Sequence, residues 1–366
     1  MSRFVFVQPH LRHGGAERQT VIVANALVER GHEVHVVLHS GGGGLLPLVD
    51  DDVHVHVLGV ESHLASPEVA RRLHRVLRAL PPAFVVVKLW SSILACALVD
   101  RRRTLAHHVF NYCEDLDPAD HAEYIPIGRL KQRIVGRVFR SRPFLSANTR
   151  TVAERMVDVY GLGGAPAVIP STIDATAITA ACSPPERPPV FTVVSVGSLI
   201  HRKGLDTTLA ALESLERPVH WRIVGSGPLA PQFAAHRDPR GLLTISVEGA
   251  HAEPYSLMAG ADVLVHSARS EAWGIVILEA LAVGTPVIAA DAIGPREMQE
   301  TLGERPELFE LFPVDSRDAL RDRLLDRMGR GRPPLHETTA YVAPMSVDRA
   351  VEMWEVRAAT AAGGVR

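Results

Sequence analysis

The sequence predicts an α/β chain built as two parallel-sheet units, and three observations carry that prediction. Short apolar runs alternate with helix-length amphipathic stretches, and they do so in two series. A proline-rich stretch, ACSPPERPPV (181–190), separates the series. Glycine-bearing loops follow the ends of apolar runs in both halves. Strands alternating with helices build parallel sheets covered on both faces, and such sheets bind ligands beyond the carboxyl ends of their strands. At 366 residues the chain is long enough for two cores.

The first series opens with FVFV (4–7), followed by a helix over 15–30. It continues with HEVHVVL (32–38), VHVHVL (53–58), AFVVV (83–87) and TLAHHVF (104–110). A helical stretch over about 120–142 precedes PFLSA (143–147), and a helix over 150–160 leads to PAVIP. The second series runs VFTVVSV (190–196), WRIVG, LLTISVEG (ending at Gly249), ADVLVHS and TPVIAA, with helices between. The expected organisation is a Rossmann-like unit over 1–180, a linker over 181–190 and a second Rossmann-like unit over 191–345. A last helix over 346–366 is expected to cross back to the first unit.

Composition narrows the function. Net charge is −2, which does not indicate a general affinity for nucleic acid. No apolar run is long enough to cross a membrane, and the apolar run at the N-terminus is too short for a signal peptide. Three cysteines, Cys96, Cys113 and Cys182, have no metal-like spacing and suit a reducing cytoplasm. The histidines alternate as strand residues do (His32, His35, His39; His54, His56), so no metal site is expected. Only Lys88, Lys131 and Lys203 among the 39 basic residues are lysine, a bias expected of a GC-rich, bacterial genome.

Three glycine loops are candidates for ligand contact. HGGAER (13–18) follows the first strand and opens the first helix. There Gly14 and Gly15 let a bulky group approach the backbone, and a helix N-terminus favours anions; a tight turn is the plainer alternative. GSGPLA (225–230), beginning at Gly225, has the spacing of a dinucleotide fingerprint, with Glu248 about twenty residues on. It lies in the second strand–helix turn of its unit rather than the first, which argues against a dinucleotide. VGSLIHRKGLD (196–206) sets Gly197, Ser198, Arg202 and Lys203 between a strand and a helix. Two cations there can clamp a diphosphate. A compact ammonium in an arginine-rich chain also points to a specific need at Lys203, with a solvated basic turn as the alternative.

SEAWGIVILEALAVGTP (270–286) poses the sharpest question. From Gly274 to Val283 every residue is apolar or glycine except Glu279. A helix apolar all round is expected to be buried, and a buried glutamate needs a partner. With the helix starting near Gly274, Glu271 falls in the preceding loop and Glu279 about one and a half turns inside. A nucleotide sugar at this N-terminus would offer hydroxyls to both carboxylates. The alternative is an exposed Glu271, with Glu279 paired to a buried arginine.

Taken together, GGAER, SANTRTVAERM, VIPSTID, VGSLIHRKGLD, IVGSGPL and SEAWGIVILEALAVGTPVIAAD resemble a retaining glycosyltransferase of the GT-B fold, glycosyltransferase family 4, over nearly the whole chain. The last carries that family's E-x7-E pattern. The resemblance implies an N-terminal acceptor unit and a C-terminal unit for a nucleoside-diphosphate sugar, facing an interdomain cleft. It implies that Arg202 and Lys203 hold the diphosphate. Glu271 and the backbone at Trp273, Gly274, Ile275 and Val276 would meet sugar and phosphate. Glu279 would hold the ribose, with Gly15 facing the diphosphate. Neither a cofactor nor a metal is required. The acceptor expected is a small molecule, a glycan or a lipid-linked hydroxyl. Two departures stand out. Ser198 follows Gly197 where many relatives carry arginine, and the histidine many relatives place near the reacting sugar has no clear counterpart. His108, His10 and Glu114 are its candidates. A sugar-nucleotide epimerase of the same shape and an NAD-dependent oxidoreductase are the competing readings.

Finally, GRLKQRIVGRVFRSR (128–142) has six basic residues and no acidic one. Its apolar positions have helical spacing, so it reads either as a basic face for an anionic membrane or as a helix packed on its own sheet. The expected location is cytoplasmic, with possible contact at the inner membrane face through this segment.

Overall fold

The computed structural model describes residues 2–60, 66–120, 128–183 and 188–363. The chain forms two compact units, Met1–Thr172 with Val347–Arg366, and Ile173–Ser346.

In the first unit, strands β1 (Arg3–Gln8), β2 (Glu33–Leu38), β3 (His54–Val57), β4 (Phe84–Val87), β5 (Val109–Glu114), β6 (Leu145–Ala147) and β7 (Ala167–Val168) form a seven-stranded sheet. Its order is β3-β2-β1-β4-β5-β6-β7, and every pairing among the described residues is parallel. β1 and β4 are fully apolar and buried through their centres, as a strand covered on both faces must be. The order reverses between β1 and β4, and there the C-terminal ends of the two strands diverge into different helices.

The second unit repeats the plan. Strands β8 (Phe191–Val196), β9 (Val219–Val224), β10 (Leu243–Gly249), β11 (Val263–His266), β12 (Val287–Ala290) and β13 (Phe309–Phe312) lie in the order β10-β9-β8-β11-β12-β13, again parallel. The reversal falls between β8 and β11. One face of this sheet packs around Trp221, whose indole N–H donates to Ser195 Oγ at 3.1 Å; that bond lets a polar ring tip sit in a fully buried core.

Helix starts follow local chemistry. Ser66, Thr149, Asp174 and Ser316 each accept a backbone N–H three residues on, at 2.8–3.3 Å, which satisfies one of the donors that a first turn leaves open.

The helix Val347–Gly363 completes the first unit. Trp354 packs on Phe84 with ring centroids 6.3 Å apart, and Arg357 donates to the Leu145 carbonyl at 2.8 Å.

Three sequence expectations need correction. The strand read at 104–110 is Val109–Glu114; the preceding residues include a 3-10 turn, Arg103–Leu105. Apolar alternation ended too early because the true strand buries polar Asn111 and Glu114. The helix read over 120–142 is Gly128–Phe139 among the described residues, with 121–127 outside them. The boundary between units falls at Thr172 rather than 180. The helix Ala175–Ala180 belongs to the second unit, and the Ser183 N–H donates to Ser256 Oγ at 2.9 Å. Prolines mark where regular structure stops, not where packing changes partner. Residues 184–187 of the expected linker lie outside the described residues.

Candidate active site

The reversal between β8 and β11 gathers the candidate residues of the second unit. After β8 the chain turns through Gly197 and Ser198 into a 3-10 turn, His201–Lys203, and then the helix Leu205–Glu213. After β11 it passes through Ser267 and Glu271 into the helix Ile275–Ala282. The two loops are stitched together. The Arg269 N–H donates to the Arg202 carbonyl at 2.9 Å, and Arg202 Nη1 donates to the Ser270 carbonyl at 2.7 Å. Ser267 Oγ donates to the Lys203 carbonyl at 3.1 Å and accepts from Thr208 Oγ1 at 2.8 Å.

This stitching fixes a polar trio, an ammonium, a carboxylate and an imidazole. Lys203 Nζ donates to Glu271 Oε2, and His266 Nε2 lies 3.2 Å from the same oxygen. Burial by itself would raise the Glu271 carboxyl, but the Lys203 ammonium, with His266 and Arg202, overcomes it and holds the group well below the usual range. Glu271 is therefore an anion at neutral pH. Burial, with the Lys203 and Arg202 charges, pulls the His266 imidazole down against the pull of Glu271. An ammonium has three donors, and Lys203 also borders a small hollow together with Gly197, Ser198 and His266.

Glycine is demanded at two points of this wall. Gly274 caps the helix Ile275–Ala282 with φ 90°, and a Cβ there would sit 3.3 Å from Glu271 Cγ. Gly225, with φ 147°, brings its backbone so near Gly197 that a Cβ would lie 1.8 Å from the Gly197 carbonyl oxygen. Its N–H donates to the Gly249 carbonyl at 2.6 Å, so the three strand-end loops interlock.

Ile275 and Val276 open the helix, where first-turn N–H groups have no preceding carbonyl. Glu279 is the fifth residue of that helix and is 1% exposed, whereas its neighbours Leu278 and Ala280 are apolar and fully buried. Trp273 is buried, and its indole N–H has no hydrogen-bond partner among the described residues.

Gly14, Gly15 and His108 belong to the first unit. Gly14 is extended, and the space a Cβ would take is held by Glu17 Oε2, 2.3 Å away. Gly15 begins the first helix. His108 precedes β5, so the six residues of that strand put it roughly 20 Å from the C-terminal edge; its Nε2 lies 2.8 Å from the Leu77 carbonyl. A histidine at that end does not reach the edge where α/β sheets bind ligands. Glu114 is at the right end but buried, accepting from the Tyr160 hydroxyl at 2.8 Å. His10 Nδ1 lies 3.4 Å from Glu17 Oε1. The sequence reading missed His266, Glu17 and Lys88. A histidine closing an apolar strand, and a lysine following one, were the available signals.

A family model described as Glycosyl transferase 4-like domain matches residues 14–172, and one described as Glycosyl transferases group 1 matches 190–328. The chain is 26% identical over 285 residues to the lipopolysaccharide core biosynthesis glycosyltransferase LpsD of Rhizobium meliloti, covering 77% of this chain and 76% of that one. It is 34% identical over 107 residues, 28% of either chain, to the lipopolysaccharide glucosyltransferase WaaG of Escherichia coli. Anabaena HepE, solved in complex with UDP, superposes with a TM-score of 0.76 at 17% identity, covering 98% of this chain and 100% of that one. Together the two family matches span well over half of the chain, which belongs to the glycosyltransferases and has their GT-B architecture.

Proposed function

We propose that the chain transfers a sugar from a nucleoside-diphosphate sugar to a hydroxyl of a glycan or lipid-linked acceptor, with retention of anomeric configuration. The observation that carries this is the Lys203–Glu271–His266 trio beside the N-terminus of the helix Ile275–Ala282. Charge builds on the diphosphate as the glycosidic bond breaks, and fixed donors at that point lower the barrier. Lys203, Arg202 and the first-turn amides of Ile275 and Val276 supply them. Glu271, held ionised, accepts hydroxyls of the donor sugar, and Glu279 accepts those of the ribose. No step in this scheme calls for a metal or a redox cofactor. HepE binds UDP and UDP-glucose, and a uridine or other nucleoside diphosphate is the donor class proposed here. The first unit takes the acceptor.

The test is incubation with UDP-, GDP-, ADP- and TDP-sugars. Release of nucleoside diphosphate, with an anomeric proton of unchanged configuration in the product, supports the proposal. A new sugar isomer with the nucleotide still attached supports epimerisation instead, and NAD binding without either supports an oxidoreductase.

A second observation bears on the acceptor. On the helix Gly128–Phe139, Val135 and Phe139 are buried, whereas Leu130 (53%) and Ile134 (40%) are exposed among Arg129, Arg133 and Arg137. Apolar side chains framed by arginines suit an anionic lipid surface. We read this face as a peripheral membrane contact, which fits a lipid-linked acceptor.

A further inference from the structure

One member of the Lys203–Glu271–His266 trio is left unfinished. His266 ends β11, and its side chain is 4% exposed. Its Nε2 lies 3.2 Å from Glu271 Oε2 but off the line of a hydrogen bond, and it has no other partner among the described residues. The oxygen it faces is already taken by the Lys203 ammonium. Buried polar groups are ordinarily satisfied, so an open imidazole nitrogen set against a carboxylate calls for a reason. The three backbones are fixed. The Lys203 carbonyl accepts from Ser267 Oγ at 3.1 Å, the Glu271 carbonyl accepts from the Gly294 N–H at 2.9 Å, and His266 pairs with Ala289 of β12. Only side chains are left to rearrange. Gly274 keeps the space between them clear, because a Cβ there would sit 3.3 Å from Glu271 Cγ and 3.5 Å from His266 Nε2.

We propose that His266 is a positioning residue whose Nε2–H takes over Glu271 when a diphosphate draws the Lys203 ammonium away. This rests on the donor reading above and says what becomes of Glu271 during it. A carboxylate only accepts, so the imidazole nitrogen facing it is the one that carries the proton. With Lys203 in place, two donors compete for one oxygen, and the full charge of the ammonium wins. A diphosphate offers that ammonium more negative charge than one carboxylate does. Once Lys203 leaves, Glu271 is a buried carboxylate without its cation, and burial pushes it toward the protonated form. Protonation would turn it from an acceptor of sugar hydroxyls into a donor. His266 prevents this by supplying a second bond. Lys203, Arg202 and Glu271 are the charged groups acting on the imidazole; Arg269, next along the loop, is paired with Asp206 and Asp315. As Lys203 moves off, its repulsion of the imidazole falls and the Nε2–H aligns with Oε2. No proton changes hands.

The first readout is the imidazole itself, by NMR of the full chain with isotope-labelled histidine, the His266 signal being assigned by its loss in His266→Gln. The probes are UDP and inorganic pyrophosphate. Binding of either to wild type should slow exchange of the Nε2 proton with water about tenfold and move the His266 titration upward. Lys203→Ala should show both changes with no probe present. The second readout is the slow hydrolysis of UDP-glucose without acceptor. His266→Leu removes the donor from a strand that is otherwise apolar, VLVH, and His266→Gln returns an N–H near the position of Nε2. His266→Leu should keep UDP affinity and the thermal midpoint but lose about tenfold in turnover, and His266→Gln should recover most of the loss. A histidine that only fills the core would give the opposite: turnover kept in His266→Leu, or UDP affinity, midpoint and turnover falling together with no recovery in His266→Gln. Either of those results overturns the proposal, and so does a His266 signal that is the same in Lys203→Ala as in wild type. Wild type that binds neither UDP nor pyrophosphate retires the donor reading, whereas an unmoved His266 signal in a protein saturated with UDP retires the handover alone.

Discussion

Replacing Glu17 by glutamine should make the protein more stable at alkaline pH, and the size of the gain follows from the carboxyl's surroundings. Glu17 lies in the first turn of the helix Gly15–Glu29 and is 8% exposed. Burial raises its pKa from 4.5 to about 7, against its own backbone amide and the Lys88 charge, with Asp115 adding to the rise. His10 is the other titratable group beside it, at 3.4 Å. The sign is that of a raised acid. Between pH 4.5 and 7 the folded protein keeps a proton that the unfolded chain has released, so stability falls as pH climbs through that window. At ~1.4 kcal/mol per pH unit, the whole interval is worth about 3 kcal/mol. Glutamine has nearly the same shape and does not titrate. Glu17→Gln should therefore match wild type near pH 4.5 and exceed it by about 3 kcal/mol at pH 8. Urea unfolding of both proteins from pH 4.5 to 8 measures this, because every other titrating group is common to the pair. A stability difference that does not change with pH, or that grows toward acid, would refute the reasoning.

Other outcomes follow from the second unit and from the basic helix. Lys203→Ala should weaken UDP binding by about 1.5–3 kcal/mol and leave uridine binding almost unchanged, as read by calorimetry; equal losses for both ligands would remove Lys203 from the diphosphate. Glu279→Gln should cost on the order of 1 kcal/mol in donor affinity, whereas Glu271→Gln should lower turnover more than affinity for bare UDP. A Glu279→Gln protein with full donor affinity and a lowered melting temperature would assign that carboxylate to structure. Changing Arg129, Arg133 and Arg137 together to glutamine should abolish sedimentation with anionic vesicles at low salt, while thermal stability holds. Arg140 is left out because its guanidinium donates to the Tyr160 carbonyl at 2.5 Å. Transfer should persist in EDTA; loss of activity that magnesium restores would contradict a charge balance held by Arg202, Lys203 and helix amides.

The alternation of strands and helices was legible because parallel strands buried on both faces are nearly pure apolar runs, as VVV in β4 and VIAA in β12 are. The place of Lys203, Glu271 and Gly274 was legible because each lies within a few residues of a strand end or helix start. What sequence order hides is which loops meet. His266 and Lys203 are far apart in the chain and close in space only because β8 and β11 are neighbours in the sheet. Lys88 and Asp115 meet for the same reason, after β4 and β5. The misplaced strand at 104–110 has another cause. Asn111 is fully buried in β5 because Ser146 and Arg357 satisfy its amide, at 2.8 and 3.2 Å. Both partners come from elsewhere in the chain, so no local pattern announces a polar residue there.

The return of Val347–Gly363 to the first unit makes that unit discontinuous in sequence. At about 5–20 residues per second of synthesis, the ribosome spends roughly ten to thirty-five seconds on the second unit before the closing helix emerges. During that interval the surface that Trp354 and Arg357 will cover, around Phe84, Asn111 and the Leu145 carbonyl, faces solvent or a chaperone. The second unit is continuous and can complete its core first. A fragment ending at Thr172 would keep that seam open permanently and should aggregate, whereas a circular permutant that begins at Val347 and runs on into the first strand would carry the closing helix from the start. The order in which the halves become stable is thus written into chain connectivity rather than into the strength of either core.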